Sequence, residues 1–403
     1  MTGITASNRV QLATTIALCF LVALMEGLDL QAAGIAAQGM AAAFGLDKVQ
    51  MGWVFSAGIL GLLPGAFVGG WLADRIGRKK VLMASVALFG LFSLVTAVAW
   101  DFNSLVVARC LTGVGLGAAL PNLIALTSEA AGPRLRGTAV SMMYCGVPLG
   151  AALAATIGII GFSGGWQVVF YVGGVVPLLI VPLLARYLPE SAQFQAGQSA
   201  DGASERVWHG LFHNGAAPAT LLLWLSYFFT LMVVYILINW LPSLLVGQGY
   251  NPSQASGVML ALQLGAALGT LALGALMDRL PTWAMALLIY LGILGSLAAL
   301  GLASAFPGML LAGFVAGLFA TGGQGVLYAL TPLYYPTRMR ATGVGSAVAV
   351  GRLGAMSGPL VAGHMLALGT GTAGVMLASA PGIVLAAGAM VCLSRRRAQP
   401  AVD

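Results

Sequence analysis

Twelve apolar runs, each about the length that crosses a membrane, divide this chain, and short polar gaps separate nearly all of them. They lie near 14–37, 51–73, 81–99, 104–126, 138–160, 166–187, 217–241, 253–277, 284–304, 308–330, 341–365 and 371–393. A bilayer core takes about 20 helical residues. In hydrocarbon every backbone polar group must find its partner within the chain, so runs of this kind are helices. The expected fold class is an all-α membrane protein with twelve transmembrane helices. Composition agrees: 7% of residues are charged, against about 25% in soluble domains. The first run is longer than a signal-peptide core and lacks an A-x-A-like site, so it reads as a retained span. Cys19, Cys110, Cys145 and Cys392 all fall in apolar segments without C-x-x-C spacing, which supports neither a zinc site nor a disulfide framework.

The cations fix the topology. Arg9, the Arg75–Lys80 cluster, Arg134, Arg136, Arg186, Arg206, Arg279, Arg338, Arg340 and Arg395 to Arg397 all fall on one side, and Lys48 on the other. Positive charge collects in the cytoplasm, so both termini and the long gap at 188–216 are expected there. The chain also repeats. Asp74-Arg75 matches Asp278-Arg279, Arg134-Leu-Arg136 matches Arg338-Met-Arg340, and Leu149-Gly150 matches Leu353-Gly354, all at one offset of 204 residues. Two parallel six-span halves are a transporter architecture with the substrate site between them. The expected organisation is an N-terminal half at 1–187, a linker at 188–216 and a C-terminal half at 217–403.

Four charged residues lie deep inside spans: Glu26, Asp29, Arg109 and Arg352. Charge in a span is costly and marks a functional pathway. Glu26 and Asp29 are one turn apart on one helix face. At 1.5 Å rise per residue, Asp29 and Arg109 both lie about 22 Å above the cytoplasmic edge of a ~30 Å core. Glu26 lies at about 18 Å and Arg352 at about 17 Å. An arginine at midplane is a natural seat for a substrate carboxylate, which it binds bidentately; the alternative is a partner for Glu26 that locks one state. Tyr144, Tyr235, Asn239, Gln263, Gln324 and Tyr328 are further polar groups within spans, fit to touch an aromatic ring or phenol. Each alone also fits an ordinary interhelical hydrogen bond, and Asn239-Trp240 also fits an interfacial anchor.

The loop GWLADRIGRKK at 70–80, taken with the twelve spans, resembles the signature loop of the major facilitator superfamily. In that family the aspartate holds the start of span eleven at a cytoplasmic gate, with a basic and an acidic partner. The resemblance implies Asp74, Arg78 and Glu129 for those roles; topogenic charge alone would explain the cations but not Asp74 or Gly77. The second copy has Pro281 where Gly77 would predict glycine, so its gating role is not expected. In the family, spans one and four line the same half-cavity, which implies an Asp29–Arg109 pair, either proton-coupling or statically structural. Glu26-Gly27-Leu28-Asp29 resembles the acid-Gly-x-Asp signature of the aromatic acid:proton symporters, with glutamate in place of the first aspartate. The likeness runs over nearly the whole chain apart from the middle loop and tail, and includes LPES at 188–191. It implies import of a phenylpropanoid acid, a small aromatic carboxylate, with protons, across a bacterial inner membrane.

Other classes fit less well. Gly369–Gly374 matches G-x-G-x-x-G but follows no strand, so no dinucleotide site is expected. His209 and His213 lack further ligands nearby, so no metal is expected. Neither a cofactor nor a nucleic-acid partner is expected, and a monomer is. Proton-driven efflux of an aromatic or drug-like compound uses the same groups in the opposite sense and stays open. A membrane sensor would need a larger soluble domain, and an enzyme a nucleophile–base pair or metal cluster.

Overall fold

The computed structural model describes residues 6–160, 165–191, 217–277, 279–303, 305–335 and 340–395, with backbone alone at 6–9, 132–134, 136–138 and 340–342. Asp278, Arg338, Arg206, His209, His213 and most of the 188–216 segment lie outside these residues. Among the described residues, twelve helices are long and apolar enough to cross a membrane, and there is no strand. Spans one to six are built on Ala6–Phe44, Lys48–Ile76, Arg78–Ala97, Phe102–Tyr144, Gly146–Ile160 and Val168–Tyr187. Spans seven to nine are built on Ala217–Gly247, Pro252–Met277 and Thr282–Leu302. Span ten is composite: Phe306–Ala316, a π-turn at Gly317–Thr321, Gly322–Leu330 and a 3-10 turn at Thr331–Tyr334. Spans eleven and twelve are built on Arg340–Ala367 and Gly371–Ser394.

Two ends show how local sequence sets the helices. Asp101 caps span four: its carboxylate accepts from the Ser104 N–H at 2.8 Å, and the Ser104 hydroxyl lies 3.1 Å from the Asp101 N–H. Hydrogen bonding to the carboxylate, from the Ser104 side chain first and its backbone N–H second, lowers the Asp101 pKa. The glycine-rich 369–374 segment is a turn whose Gly369 and Gly371 have φ of 77° and 64°, a region costly for other residues. The link at 127–137, expected as a polar gap, is helical and continues span four to Tyr144. Ala130, Ala131 and Leu135 there favour helix.

The chain forms two compact units, one from Met1–Leu46 and Ala57–Gly202, the other from Asp47–Ser56 and Ala203–Asp403. Inside each, glycines let helix backbones touch, and these contacts repeat at the offset of the sequence. A Cβ at Gly61 would lie 2.0 Å from the Cys110 carbonyl oxygen, and one at Gly265 2.0 Å from that of Phe314. Gly65 meets Val114 as Gly269 meets Leu318, both at 2.2 Å. Gly150 meets the Leu24 carbonyl at 1.7 Å and Gly354 that of Phe228 at 2.0 Å. Such close approach is how helices associate without a hydrophobic drive between them. Gly150→Val is therefore expected to destabilise the first unit by about 2 kcal/mol or more, read as a lower melting temperature in detergent. Gly388→Ala, where an added Cβ meets nothing within 4 Å, is the matched control and should melt as wild type.

Candidate functional site

In the first unit, span one brings Gly27 against span five: a Cβ there would stand 1.9 Å from the Val147 carbonyl oxygen. That contact requires glycine, and it turns Glu26 and Asp29 away from span five, about 60° apart around the helix. Both acids are buried, Asp29 completely. Arg109 Nη1 donates to Asp29 Oδ2 at 2.9 Å, and Nη2 lies 3.5 Å from the Asp29 carbonyl oxygen. The Ser93 hydroxyl stands 3.1 Å from Asp29 Oδ1 and 3.2 Å from the Phe170 carbonyl oxygen. The guanidinium also sits 5.5 Å from the Phe170 ring centroid, within cation–π range. Glycines make the room: a Cβ at Gly58 would press Arg109 Nη2 at 3.4 Å, and one at Gly173 would press Ser93 Oγ at 3.1 Å. The result is a buried carboxylate with one charged and one neutral donor.

The 70–80 loop joins part of the expected trio. Arg78 and Glu129 form an ion pair, and the Ser191 hydroxyl donates to Glu129 Oε2 at 2.5 Å. Gly77 precedes span three with φ of 102°, which explains the second glycine of the loop. Asp74 is exposed on the last turn of span two, with no hydrogen bond or ion pair among the described residues. The residues leading into span eleven, its expected partner, fall outside the described residues at 336–339. The carboxylate seated on a helix N-terminus in this cluster is Glu190, which accepts from the Lys79 N–H at 3.0 Å and the Ser191 N–H at 2.8 Å. An anion there is favoured by the helix dipole.

In the second unit, Arg352 is half-buried and donates from Nη1 to the Tyr235 hydroxyl at 2.7 Å. The Asn239 amide turns back to the Tyr235 carbonyl at 2.9 Å, so part of its donor capacity is used along its own helix. Trp240 is 1% exposed and donates to the Pro359 carbonyl at 2.9 Å, so it is a packed core residue and not an interfacial anchor. Gln263 is buried. Gln324 Nε2 donates to the Tyr328 hydroxyl at 2.8 Å, and the Tyr328 ring lies 5.6 Å from that of Tyr227. Tyr144, in the first unit, is 37% exposed. The structure thus joins Asp29 to Arg109, Arg78 to Glu129, Arg352 to Tyr235 and Gln324 to Tyr328. Ser93, Glu190, Ser191 and Tyr227 escape sequence reasoning; of these only the LPES motif gives a signal.

Twelve spans in two repeated sets of six, with a buried Asp29–Arg109 ion pair inside the first set, are the architecture of a secondary transporter rather than an enzyme. Residues 19–311 match the Major Facilitator Superfamily, and the chain belongs to that family. It is 72% identical over 400 residues to the 3-(3-hydroxy-phenyl)propionate transporter of Escherichia coli (strain K12), covering 99% of this chain and 98% of that protein. It is 37% identical to the gallate transporter of Pseudomonas putida, over 96% and 93% of the two chains. The crystal structure of a D-xylose-proton symporter has the same fold, with a TM-score of 0.77 at 19% identity over 94% and 96% of the chains. The protein is therefore a multi-pass membrane protein.

Proposed function

We propose that this protein imports 3-(3-hydroxyphenyl)propionate with protons across a bacterial inner membrane, acting as a monomer with both termini in the cytoplasm. The observation that carries the reading is the 72% identity, along 99% of the chain, to a transporter named for that acid. The ionisable pairs supply a mechanism. Arg352, steadied by the Tyr235 hydroxyl, takes the substrate carboxylate as a bidentate partner. Asp29 carries the coupling proton, with Glu26 as second acid; protonation from the outside neutralises Asp29 and loosens Arg109. In the more alkaline cytoplasm the proton leaves and the Asp29–Arg109 pair reforms. Asp74, Arg78 and Glu129 form the cytoplasmic gate. Tyr144, Asn239 and Gln263 contribute further substrate contacts. The substrate is an anion, opposed by an inside-negative potential at about 2.3 kcal/mol per charge per 100 mV. One proton makes the cycle neutral, and a second makes it driven by the potential.

Direction is tested in cells. Cells expressing the protein are expected to concentrate labelled 3-(3-hydroxyphenyl)propionate above cells lacking it, and a protonophore should abolish the difference. Depletion of label below the control level would establish efflux instead.

A further inference from the structure

Span ten departs from the repeat at one point, and the departure lies two residues before Gln324. In the first unit Gly113 and Gly117 both face span two: their added Cβ atoms would meet the Gly58 and Leu62 carbonyl oxygens at 1.9 and 2.3 Å. In the second unit Gly317 faces span eight in the equivalent way, at 1.8 Å from the Leu262 carbonyl oxygen. The next glycine facing span eight is Gly322, 2.7 Å from the Gly269 carbonyl carbon, five residues on instead of four. In an unbroken α-helix a fifth residue points about 140° away from the first. The π-turn at Gly317–Thr321 absorbs the extra residue, so both glycines stay pinned to span eight. Wide turns of this kind occur at functional sites. The second pin orients the rest of span ten. Gln324, two residues past Gly322, points away from span eight, and Tyr328 lies one turn further, beside Tyr227 of span seven.

The pair has a definite hydrogen-bonding character. Gln324 Nε2 donates to the Tyr328 oxygen, which leaves the Tyr328 hydroxyl proton and Gln324 Oε1 to act outward. Among the described residues neither has a further partner, and both side chains are half-buried. One donor beside one acceptor is the complement of a phenol hydroxyl, which both accepts and donates. Tyr227, which abuts Tyr328, and Tyr235, which holds Arg352, are eight residues apart on span seven, about 12 Å along its axis. An arylpropionate with a hydrogen bond of about 2.8 Å at each end fits a separation of that order.

Building on the transport reading, we propose that Gln324 and Tyr328, oriented by the π-turn of span ten, read the ring hydroxyl of the substrate. Gln324 Oε1 accepts the phenol proton and the Tyr328 hydroxyl donates to the phenol oxygen. The pair thereby selects hydroxylated aromatic acids over those lacking the group, because an unsubstituted ring leaves both atoms unsatisfied.

The test compares 3-(3-hydroxyphenyl)propionate with 3-phenylpropionate as competitors of labelled uptake, in wild type, Tyr328→Phe and Gln324→Met. Wild type is expected to favour the hydroxylated acid on the order of 10–100-fold. Each variant should bring that ratio to within about threefold, chiefly by weakening the hydroxylated acid. Variants that keep the full ratio, or that lose affinity for both acids equally, overturn the assignment; Gln324→Met decides it should Tyr328→Phe fail to insert. Wild-type protein that takes up neither acid overturns the transport reading itself, and the assignment with it.

Discussion

Asp29→Asn is expected to abolish uphill accumulation of substrate, leaving only equilibration across the membrane. In an electroneutral cycle one pH unit supports about tenfold accumulation per proton, and that factor is what the variant loses. The reason lies in the geometry. Asp29 is fully buried and accepts Arg109 at 2.9 Å, so its charge and the arginine's position move together. An amide carries no exchangeable coupling proton. It also leaves Arg109 without its anion, which costs about 3–5 kcal/mol for a buried pair. The companion variant Asp29→Asn with Arg109→Gln removes both charges and that penalty. A coupling pair predicts that the double variant inserts and melts near wild type yet still fails to accumulate substrate. A static ion pair predicts that accumulation returns. Uptake under an imposed gradient, beside a melting curve for each variant, separates the two.

Arg352→Lys is expected to weaken substrate binding by roughly tenfold or more, about 1.4 kcal/mol. A lysine ammonium is a point charge and cannot meet both carboxylate oxygens as the guanidinium fork does. The bond to the Tyr235 hydroxyl at 2.7 Å holds that fork in place, so Tyr235→Phe should give a smaller loss in the same direction. Competition for labelled uptake measures both. An unchanged affinity in Arg352→Lys would make the arginine a structural residue.

The spans are legible in the sequence because a continuous apolar run of about 20 residues satisfies its backbone in hydrocarbon as a helix, whereas barrel strands are shorter and alternate. The repeat is legible to the residue: the offset between Gly150 and Gly354 in sequence is also the offset between the backbone oxygens they touch, on Leu24 and Phe228. The Asp29–Arg109 pairing can be anticipated because constant helix rise puts both residues at one depth and the family resemblance implies that spans one and four are neighbours. Ser93 cannot. A serine in an apolar span does not announce which acid it meets, and its contact with Asp29 joins residues 64 apart. Glu190 stands within a visible motif, but its acceptor role depends on the Lys79 N–H, 111 residues earlier. The π-turn is written in the sequence as Gly317 and Gly322 five apart, where Gly113 and Gly117 are four apart. Only the packing against span eight shows that the extra residue is absorbed within the helix. The helical link to Tyr144 is hidden because its polar residues mimic a gap between spans, although several of its residues favour helix.

The proposed coupling is that a proton gradient drives an aromatic carboxylate inward through this protein. Its most direct test is uptake of labelled 3-(3-hydroxyphenyl)propionate by purified protein in liposomes with an alkaline interior. The expected result is transient accumulation above the external concentration, lost when an ionophore collapses the gradient. Uptake that only ever reaches the external concentration, with or without the gradient, would contradict it.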